Sequence, residues 1–235
     1  MFRTAITYGL LCAALCGGCQ FTAPAQNAEG VKMFQQAYYQ GALQRFGQAI
    51  ASDPHNADGY YNMGATYQQM ARHHGQPVDW QQAEAYYGQC LQRNPNHEDC
   101  HRGLAVLLNE RGRQQDAFRL LEAWAARSPG SASPRIELAR LYDESNNPQM
   151  AKERLVEAVQ LEPNNARALA ALGKVREQLG DVTQALSNYE RSLGVNQFQP
   201  QLAARVASIR SSMSPPVATP PGGTRVVTTP GGRLE

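Results

Sequence analysis

The stretch YYNMGATY at residues 60–67 spaces apolar residues three and four positions apart along the chain. This spacing places them on one face of an α-helix. Ala83 and Tyr87 repeat the four-residue spacing further on, and Pro95 then interrupts the pattern, as prolines interrupt helices. Residues 57–97 therefore predict two amphipathic helices joined by a turn.

This helix pair recurs along the chain at a nearly constant distance. Each interval between its marker residues is 34 residues, except the first, which is 41. A fixed period between about 20 and 50 residues predicts a solenoid, in which each repeat buries its apolar face against its neighbours. The markers are Ala42, Ala83, Ala117, Ala151 and Ala185, together with Pro54, Pro95, Pro129 and Pro163.

These markers divide residues 23–199 into five predicted repeats of two helices each. About seven additional residues around 72–78 predict a longer internal turn in the second repeat. The first helix of the first repeat is expected to be frayed or shortened, because it adjoins the processed terminus. The repeats are 23–56, 57–97, 98–131, 132–165 and 166–199.

The turns inside the repeats carry residues suited to helix ends. Gly112, Gly180 and Asn146 follow the first helices and tolerate the left-handed conformation of a C-terminal cap. Asp79 and Asp181 are expected just before the second helices, where a carboxylate can accept hydrogen bonds from exposed N–H groups.

The two segments after the repeats differ in composition. Residues 200–213 place Leu202, Val206, Ile209 and Met213 on one face and predict a helix that caps the last repeat. Residues 214–235 are rich in proline, glycine and threonine. They cannot build a core, so this tail is expected to be disordered.

The first residues have the composition of an export signal. A positive start is followed by an apolar run over 5–15 that is too short to span a bilayer. We expect residues 1–18 to be a signal peptide of the lipoprotein type, with Cys19 as the lipidated mature N-terminus. The alternative is cleavage after Ala25, which would release a soluble protein. Either route predicts a location outside the cytoplasm, in the cell envelope or periplasm, or secreted.

Composition and motifs argue against several classes of function. The formal net charge is +2, and no basic stripe is present that would bind nucleic acid. The sequence contains no glycine-rich phosphate loop and no nucleophile elbow. Glu98 and His101 have the Glu-x-x-His spacing, but Glu98 and Asp99 are interpreted as acidic residues of a helix start, and no further ligand completes a hydrolytic metal site. We therefore expect no catalytic residues, no cofactor and no small-molecule substrate.

Two cysteines and two histidines lie near the junction of the second and third repeats. Cys90 and Cys100 flank a tight turn, so a disulfide is expected in an oxidising compartment. The alternative is that both are buried free thiols. His97 and His101 flank Cys100, but a metal site needs three or four convergent ligands. We expect structural histidines and no bound metal.

Taken together, these spacings resemble the tetratricopeptide repeat over about 175 residues. The resemblance implies an all-α fold, a right-handed superhelix (α-solenoid) of five helix-turn-helix repeats with a C-terminal capping helix. It also implies a concave groove lined by the first helix of each repeat, where proteins of this family hold other proteins.

The family's inward-facing positions can be carried over to this sequence. They are apolar and aromatic in the N-terminal half and carry both signs of charge in the C-terminal half. The candidate partner-binding residues are Val31, Phe34, Gln35, Tyr61, Ala65, Gln68, Gln69, Arg102, Val106, Asn109, Glu110, Ile136, Arg140, Asp143, Glu144, Arg167, Lys174, Glu177 and Gln178.

Such a groove suits an extended or helical peptide that is anchored by aromatic residues and aligned by charge. The sequence therefore predicts a non-catalytic adaptor of the bacterial cell envelope, whose partners are other proteins and whose only membrane contact is its N-terminal lipid. The alternatives are a pilotin-like assembly factor for a type IV pilus secretin and a soluble exported accessory subunit.

Overall fold

The computed structural model describes residues 22–213, which form eleven α-helices and no β-strand. The all-α prediction is confirmed for this part of the chain. Two helices fall within each of the five ranges expected to be repeats. The helices are α1 (Ala23–Gln35), α2 (Tyr39–Ser52), α3 (Ala57–His74), α4 (Pro77–Arg93), α5 (Glu98–Glu110), α6 (Gln114–Arg127), α7 (Ser133–Glu144), α8 (Pro148–Leu161), α9 (Ala166–Gln178), α10 (Val182–Val195) and α11 (Pro200–Met213).

The helices group into two compact units. Unit 1 ends at Pro129 and contains α1 to α6, and unit 2 begins at Gly130 and contains α7 to α11. Within each unit the two helices of a hairpin pack together, and each hairpin packs on the next. The first helices also touch, α1 with α3 and α3 with α5 in unit 1, and α7 with α9 in unit 2. They form one surface in each unit, which we call the first-helix face.

Aromatic residues of the second helices pack against glycines of the first. A Cβ added at Gly64 or Gly103 would lie within 2.8 Å of the Tyr87 ring, and one at Gly173 would lie 2.5 Å from the Tyr189 ring. The five marker alanines of the second helices are fully buried. Close helix approach therefore explains why small residues recur at these positions.

Side chains at several helix N-termini satisfy the free backbone N–H groups. Asn56 accepts a hydrogen bond from the Asp58 N–H, and Asn165 accepts one from the Ala168 N–H. His97 Nδ1 accepts one from the Cys100 N–H at 3.2 Å. The asparagines just before the repeats thus mark where these helices begin.

The predicted left-handed turns are confirmed. Gly112, Gly180 and Asn146 have φ angles of 72°, 84° and 57°. Ala37 occupies the matching place in the first repeat with φ 59°, which its sequence does not predict, because alanine rarely adopts this conformation. The aspartate caps behave differently, since Asp79 lies inside the first turn of α4 and Asp181 makes no side-chain cap bond.

The expectation of a longer turn in the second repeat is wrong. The additional residues lengthen the helices instead, so that α3 has 18 residues and α4 has 17. The connection is only Gly75, at φ 66°, and Gln76, and Pro77 begins α4. Met70 and Ala71 are buried in the added part of α3, which is why the helix continues.

The expectation of a shortened first helix is also wrong. α1 has 13 residues, as α5 and α9 do, and Pro24 lies in its first turn. A proline there costs no hydrogen bond, because the first N–H groups of a helix have no partner in the helix. The predicted signal peptide, the lipidation site Cys19 and the predicted tail 214–235 lie outside the described residues.

The C-terminal helix α11 packs against the last repeat. Val206 and Ile209 are buried with Ala185 and Tyr189 of α10, while Met213 stays half-exposed. Among residues 22–213, no helix is both long and apolar enough to cross a membrane.

Candidate protein-binding site

A cavity of about 270 Å³ opens on the first-helix face of unit 1. α1 and α3 form its sides, and the Phe46 ring of α2 packs beside Gly30 at its base. Its lining carries no charged side chain. The lining residues are Val31, Phe34, Gln35, Phe46, Tyr61, Asn62, Ala65 and Thr66.

Five of the predicted partner-binding residues are brought together in this cavity: Val31, Phe34, Gln35, Tyr61 and Ala65. Phe46, Asn62 and Thr66 were not predicted. Phe46 is a core residue by its spacing, and it reaches the cavity because Gly30 has no Cβ to cover its ring. A glycine opposite an aromatic residue is the sequence signal that could have revealed it.

Tyr61 is held in place by a ring of α4 and by the histidine that caps α5. Its ring stacks on His97 with 5.7 Å between centroids, and the Tyr87 ring lies 6.1 Å away. His97 is fixed in turn, because its Nε2 bonds to Asp58 at 2.9 Å while its Nδ1 caps α5. Burial raises the pKa of the Tyr61 hydroxyl, so the group stays protonated near neutral pH. The cavity thus has a rigid aromatic wall.

Polar groups at the cavity pair with each other. The Asn62 amide donates to Asn27 Oδ1 at 2.9 Å, and the Thr66 hydroxyl donates to the Asn62 carbonyl at 2.7 Å. A partner's apolar side chain can therefore enter without leaving these particular groups unpaired.

The other predicted positions of unit 1 belong partly to an internal network. Gln68 is only 4% exposed; it accepts a hydrogen bond from the Tyr87 hydroxyl and donates one to Glu110. Arg72 also bonds to Glu110, at 3.0 Å. Gln68 and Glu110 therefore tie α3 to α4 and α5. The remaining predicted residues lie on α3 or α5 and are half-buried: Gln69, Arg102, Val106 and Asn109.

Unit 2 has paired charges at its predicted binding positions. Glu137, only 1% exposed, bonds to Arg140 at 3.0 Å and also contacts Arg167. Lys174 and Asp143 pair at 2.9 Å. The other predicted residues of unit 2 are also accounted for: Glu144 pairs with Arg140, Glu177 with Arg205, Ile136 is buried in the core, and Gln178 is exposed. These charges mainly join α7 to α9 and α9 to α11.

The cysteines and histidines near the repeat junction form a buried group. Cys90 and Cys100 are disulfide-bonded in the structure, with Cα atoms 6.4 Å apart, and the ligand atoms of Cys90, His97 and Cys100 lie within 4.8 Å of one another. The two sulfurs bond each other and both His97 nitrogens have partners, so this arrangement offers no free ligand atoms to a metal. His101 stacks on Trp124 at 4.2 Å.

The sequence profiles of known families match most of this chain. A TPR repeat profile matches residues 33–70, and a tetratricopeptide repeat profile matches residues 70–132 and 136–201. The chain belongs to the tetratricopeptide repeat family. Proteins similar to it include human and bacterial sequences and several solved structures.

Two of the similar proteins are much longer than the matching region. The human protein O-mannosyl-transferase TMTC3 is 26% identical over 179 residues, which cover 72% of this chain and 20% of TMTC3. An uncharacterized protein of Haemophilus influenzae is 36% identical over 69 residues, 29% of this chain and 38% of that protein. The match thus spans less than two fifths of each relative.

Solved structures share the fold. A thermophilic TPR protein of Thermus thermophilus superposes with a TM-score of 0.61 at 19% identity, over 81% of this chain and 100% of that chain. The structure of Pseudomonas aeruginosa pilF gives a TM-score of 0.54 at 16% identity, over 80% of this chain and 84% of that chain. At these identities the similarity shows the tetratricopeptide fold alone.

Proposed function

We propose that this protein is a non-catalytic adaptor that captures a segment of another protein in the cavity of unit 1. The tetratricopeptide fold is a scaffold for protein–protein interaction. The observation that carries the proposal is the uncharged cavity, where five of the predicted partner-binding residues, from the first helices of two successive repeats, meet. Aromatic residues in well-packed pockets supply much of the binding energy at protein interfaces.

The chemistry of the cavity describes its preferred partner. Phe34 and Tyr61 form an aromatic surface, and Gln35 lies beside them with an amide that can bond a partner backbone. The partner segment would insert an apolar side chain between α1 and α3. The charged residues of unit 2 could align a partner segment only after their existing ion pairs had opened. We therefore assign the anchoring contact to unit 1.

The test compares two double substitutions in the full chain. Cross-linking in intact cells through a photoreactive residue at Gln35 identifies the partner. Combining Phe34→Ala with Tyr61→Ala should weaken partner binding at least about tenfold. The matched control, Lys174→Ala with Gln178→Ala in unit 2, should bind as the unmodified protein does. Equal loss in both variants, with helicity retained, would remove the cavity assignment.

We also propose that the protein is anchored in the bacterial cell envelope through a lipid on Cys19. Support comes from the N-terminal sequence, in which a short apolar run is followed by Gly17-Gly18-Cys19. Mass spectrometry of the mature N-terminal peptide tests this. A diacylated cysteine is expected, and Cys19→Ala should move the protein out of the membrane fraction. An unmodified N-terminus at Gln26 would instead indicate cleavage after Ala25 and a soluble exported protein.

A second candidate is a pilotin-like factor that assists secretin assembly in a type IV pilus. Its structural support is the shared fold with Pseudomonas aeruginosa pilF, and it remains an analogy of architecture. Deletion of the gene should then remove secretin multimers from the outer membrane, and the Phe34→Ala and Tyr61→Ala protein should fail to restore them. Normal multimers in the deletion strain would exclude this role.

A further inference from the structure

Phe198 is the most exposed large apolar residue among residues 22–213. Its side chain is 94% exposed in the turn between α10 and α11, and Val195 beside it is 48% exposed. The turn itself is well held, because the Phe198 N–H donates to Asn196 Oδ1 and the Gln199 side chain bonds to the Ser192 and Asn196 carbonyls. A large apolar ring is therefore presented on a fixed backbone.

The same turn forms elsewhere in the chain without an apolar residue. His55 donates to Asp53 Oδ1 at 3.1 Å, and Asn96 donates to Asn94 Oδ1 at 3.1 Å, in the corresponding turns after α2 and α4. The position equivalent to Phe198 is thus polar and exposed in both. The turn does not need a phenylalanine, and the ring buries almost nothing in the fold. Its role has to be sought outside the folded chain.

The stretch of sequence around Phe198 is uncharged. No residue from 192 to 204 is charged, and the lining of the unit 1 cavity is also uncharged. The core of a protein interface is depleted in charge in the same way. A ring that inserts into lipid is normally accompanied by Lys or Arg that bind anionic headgroups, and this stretch contains neither. The pattern favours a protein cavity over a membrane.

We propose that Phe198 of one copy inserts into the unit 1 cavity of a second copy. The proposal rests on the cavity assigned above and adds a specific occupant for it. An apolar cavity of about 150 Å³ is large enough for benzene, so the 270 Å³ cavity accommodates a benzyl side chain with part of its backbone. Phe34, Phe46 and Tyr61 supply aromatic contacts for the entering ring.

The contact joins different surfaces of the two copies. Such a heterologous contact extends head to tail and forms a ring or an open chain, since each copy offers one donor and one acceptor. One ring and its neighbours bury less than the roughly 1,200 Å² of a stable interface. We therefore expect weak association that depends on concentration. Copies held at one surface would reach the concentrations at which it forms.

Sedimentation velocity of the full-length protein over a concentration series tests the proposal. The sedimentation coefficient should rise with concentration, and Phe198→Ala should weaken the association at least about tenfold. Ala65→Phe, which fills the cavity but keeps Phe198, should weaken it similarly. If that variant misfolds, Phe34→Ala replaces it. Leu161→Ala, which removes another exposed apolar residue of unit 2, is the matched control and should associate normally.

A mixture of the two variants provides the decisive measurement. Phe198→Ala retains the cavity and Ala65→Phe retains the ring, so together they should form a dimer and nothing larger. A photoreactive benzoylphenylalanine at position 198 should cross-link to Ala23–Gln35 or Ala57–His74 of another copy. A mixture that stays monomeric, or a Phe198→Ala protein that associates normally, overturns the proposal.

Two further outcomes also overturn it. One is a wild-type protein that stays monomeric up to about 1 mM. The other is binding to phosphatidylcholine–phosphatidylglycerol vesicles that depends on Phe198 without any self-association. Capture of the partner protein should be retained in Phe198→Ala. Loss of self-association with capture retained separates this inference from the proposed function. Loss of capture with self-association retained separates them as well.

Discussion

The two units of this protein share one packing scheme but differ in what their first helices present. In both, a tyrosine of the second helix packs on a glycine of the first, Tyr87 on Gly64 and Tyr189 on Gly173. Unit 1 then leaves an uncharged aromatic cavity between α1 and α3, whereas unit 2 covers the corresponding face with ion pairs from Glu137 and Asp143. The shared scheme fixes the fold, and the side chains on the first helices determine what each face can bind.

The largest expected difference between the units comes from the disulfide, which only unit 1 can form. Replacing Cys90 and Cys100 with alanine should lower the free energy of unfolding of unit 1 by about 3 kcal/mol, because the closed loop restricts the unfolded chain. Unit 2 contains no cysteine and should be unaffected. Trp80 and Trp124 both lie in unit 1, so tryptophan fluorescence in a denaturant titration reports this unit alone.

A reductant provides the control for this prediction. It should shift the fluorescence transition of the wild type to that of the double variant and leave the variant unchanged. An unchanged transition in the wild type, with both thiols shown to be alkylated, would mean that the disulfide does not stabilise unit 1.

The second prediction concerns the tyrosine–glycine contact that occurs within each unit. Gly64→Ala places a Cβ within 2.8 Å of the buried Tyr87 ring and should destabilise unit 1 by about 2 kcal/mol. Gly173→Ala should do the same in unit 2. Gly88 is the matched control, since nothing lies within 4 Å of its added Cβ, and Gly88→Ala should stabilise α4 by about 0.5–1 kcal/mol. Thermal unfolding followed by circular dichroism measures all three, and equal effects at Gly64 and Gly88 would contradict the packing scheme.

The third prediction sharpens the contrast by removing charge from unit 2. Glu137 is buried between Arg140 and Arg167, so Glu137→Gln removes the carboxylate that joins these two guanidinium groups and should cost about 1–2 kcal/mol, while Arg140 keeps its ion pair with Glu144. Lys174 is 64% exposed, and Lys174→Ala should cost less than about 0.5 kcal/mol. Denaturant unfolding of both variants checks this. A larger loss at Lys174 would show that the exposed pair, and not the buried one, joins α7 to α9.

The smallest expected effect is a pH dependence confined to unit 1. Burial against Trp124 lowers the pKa of His101 below its usual value of 6.5. The hydrogen bond to the Pro95 carbonyl raises this pKa, and the charges of Arg127 and His97 lower it, but each of these effects is smaller than that of burial. The folded state therefore binds fewer protons than the unfolded state just below pH 6.5, and the stability of unit 1 should fall as the pH drops through this value. All five histidines of the chain lie between residues 55 and 101, so unit 2 lacks this contribution.

Fluorescence-detected unfolding at pH 7.5 and pH 5.5 measures the effect. His101→Phe keeps a ring against Trp124 and cannot be protonated, so its unit 1 should lose less stability between the two values than the wild type. An equal loss in both proteins would assign the pH dependence to other groups.

The helices and their turns were predictable because their signals are local. The spacing of apolar residues identifies the faces, and Gly112, Asn146 and Gly180 mark the ends of first helices. The route of the chain around residues 72–78 was not predictable in the same way. Glycine and proline at 75 and 77 indicate a turn, but only burial of Met70 and Ala71 shows that the helix continues up to it.

The candidate site was predictable only in part, because one residue step turns a helix by about 100°. Tyr61 and Ala65 reach the cavity as expected, whereas Gln68 and Ile136 are buried in the interior. The ion pairs of unit 2 depend on which charges of neighbouring repeats face each other. Glu137 and Arg167 are 30 residues apart, about one helical turn less than the 34-residue period, and this offset was the available signal.

The lengthened second repeat has a consequence for how such arrays can change in evolution. Seven residues correspond to about two turns of α-helix, and here they are shared between two antiparallel helices, which become 18 and 17 residues long. Adding about one turn to each of two antiparallel helices keeps their ends level, so that the short connection of Gly75 and Gln76 can still join them. An insertion of three or four residues in one helix alone would make that helix about 5 Å longer than its partner, so a two-residue turn could no longer join the two helix ends. Insertions into this hairpin should therefore have lengths close to multiples of seven residues and should leave the neighbouring repeats undisturbed.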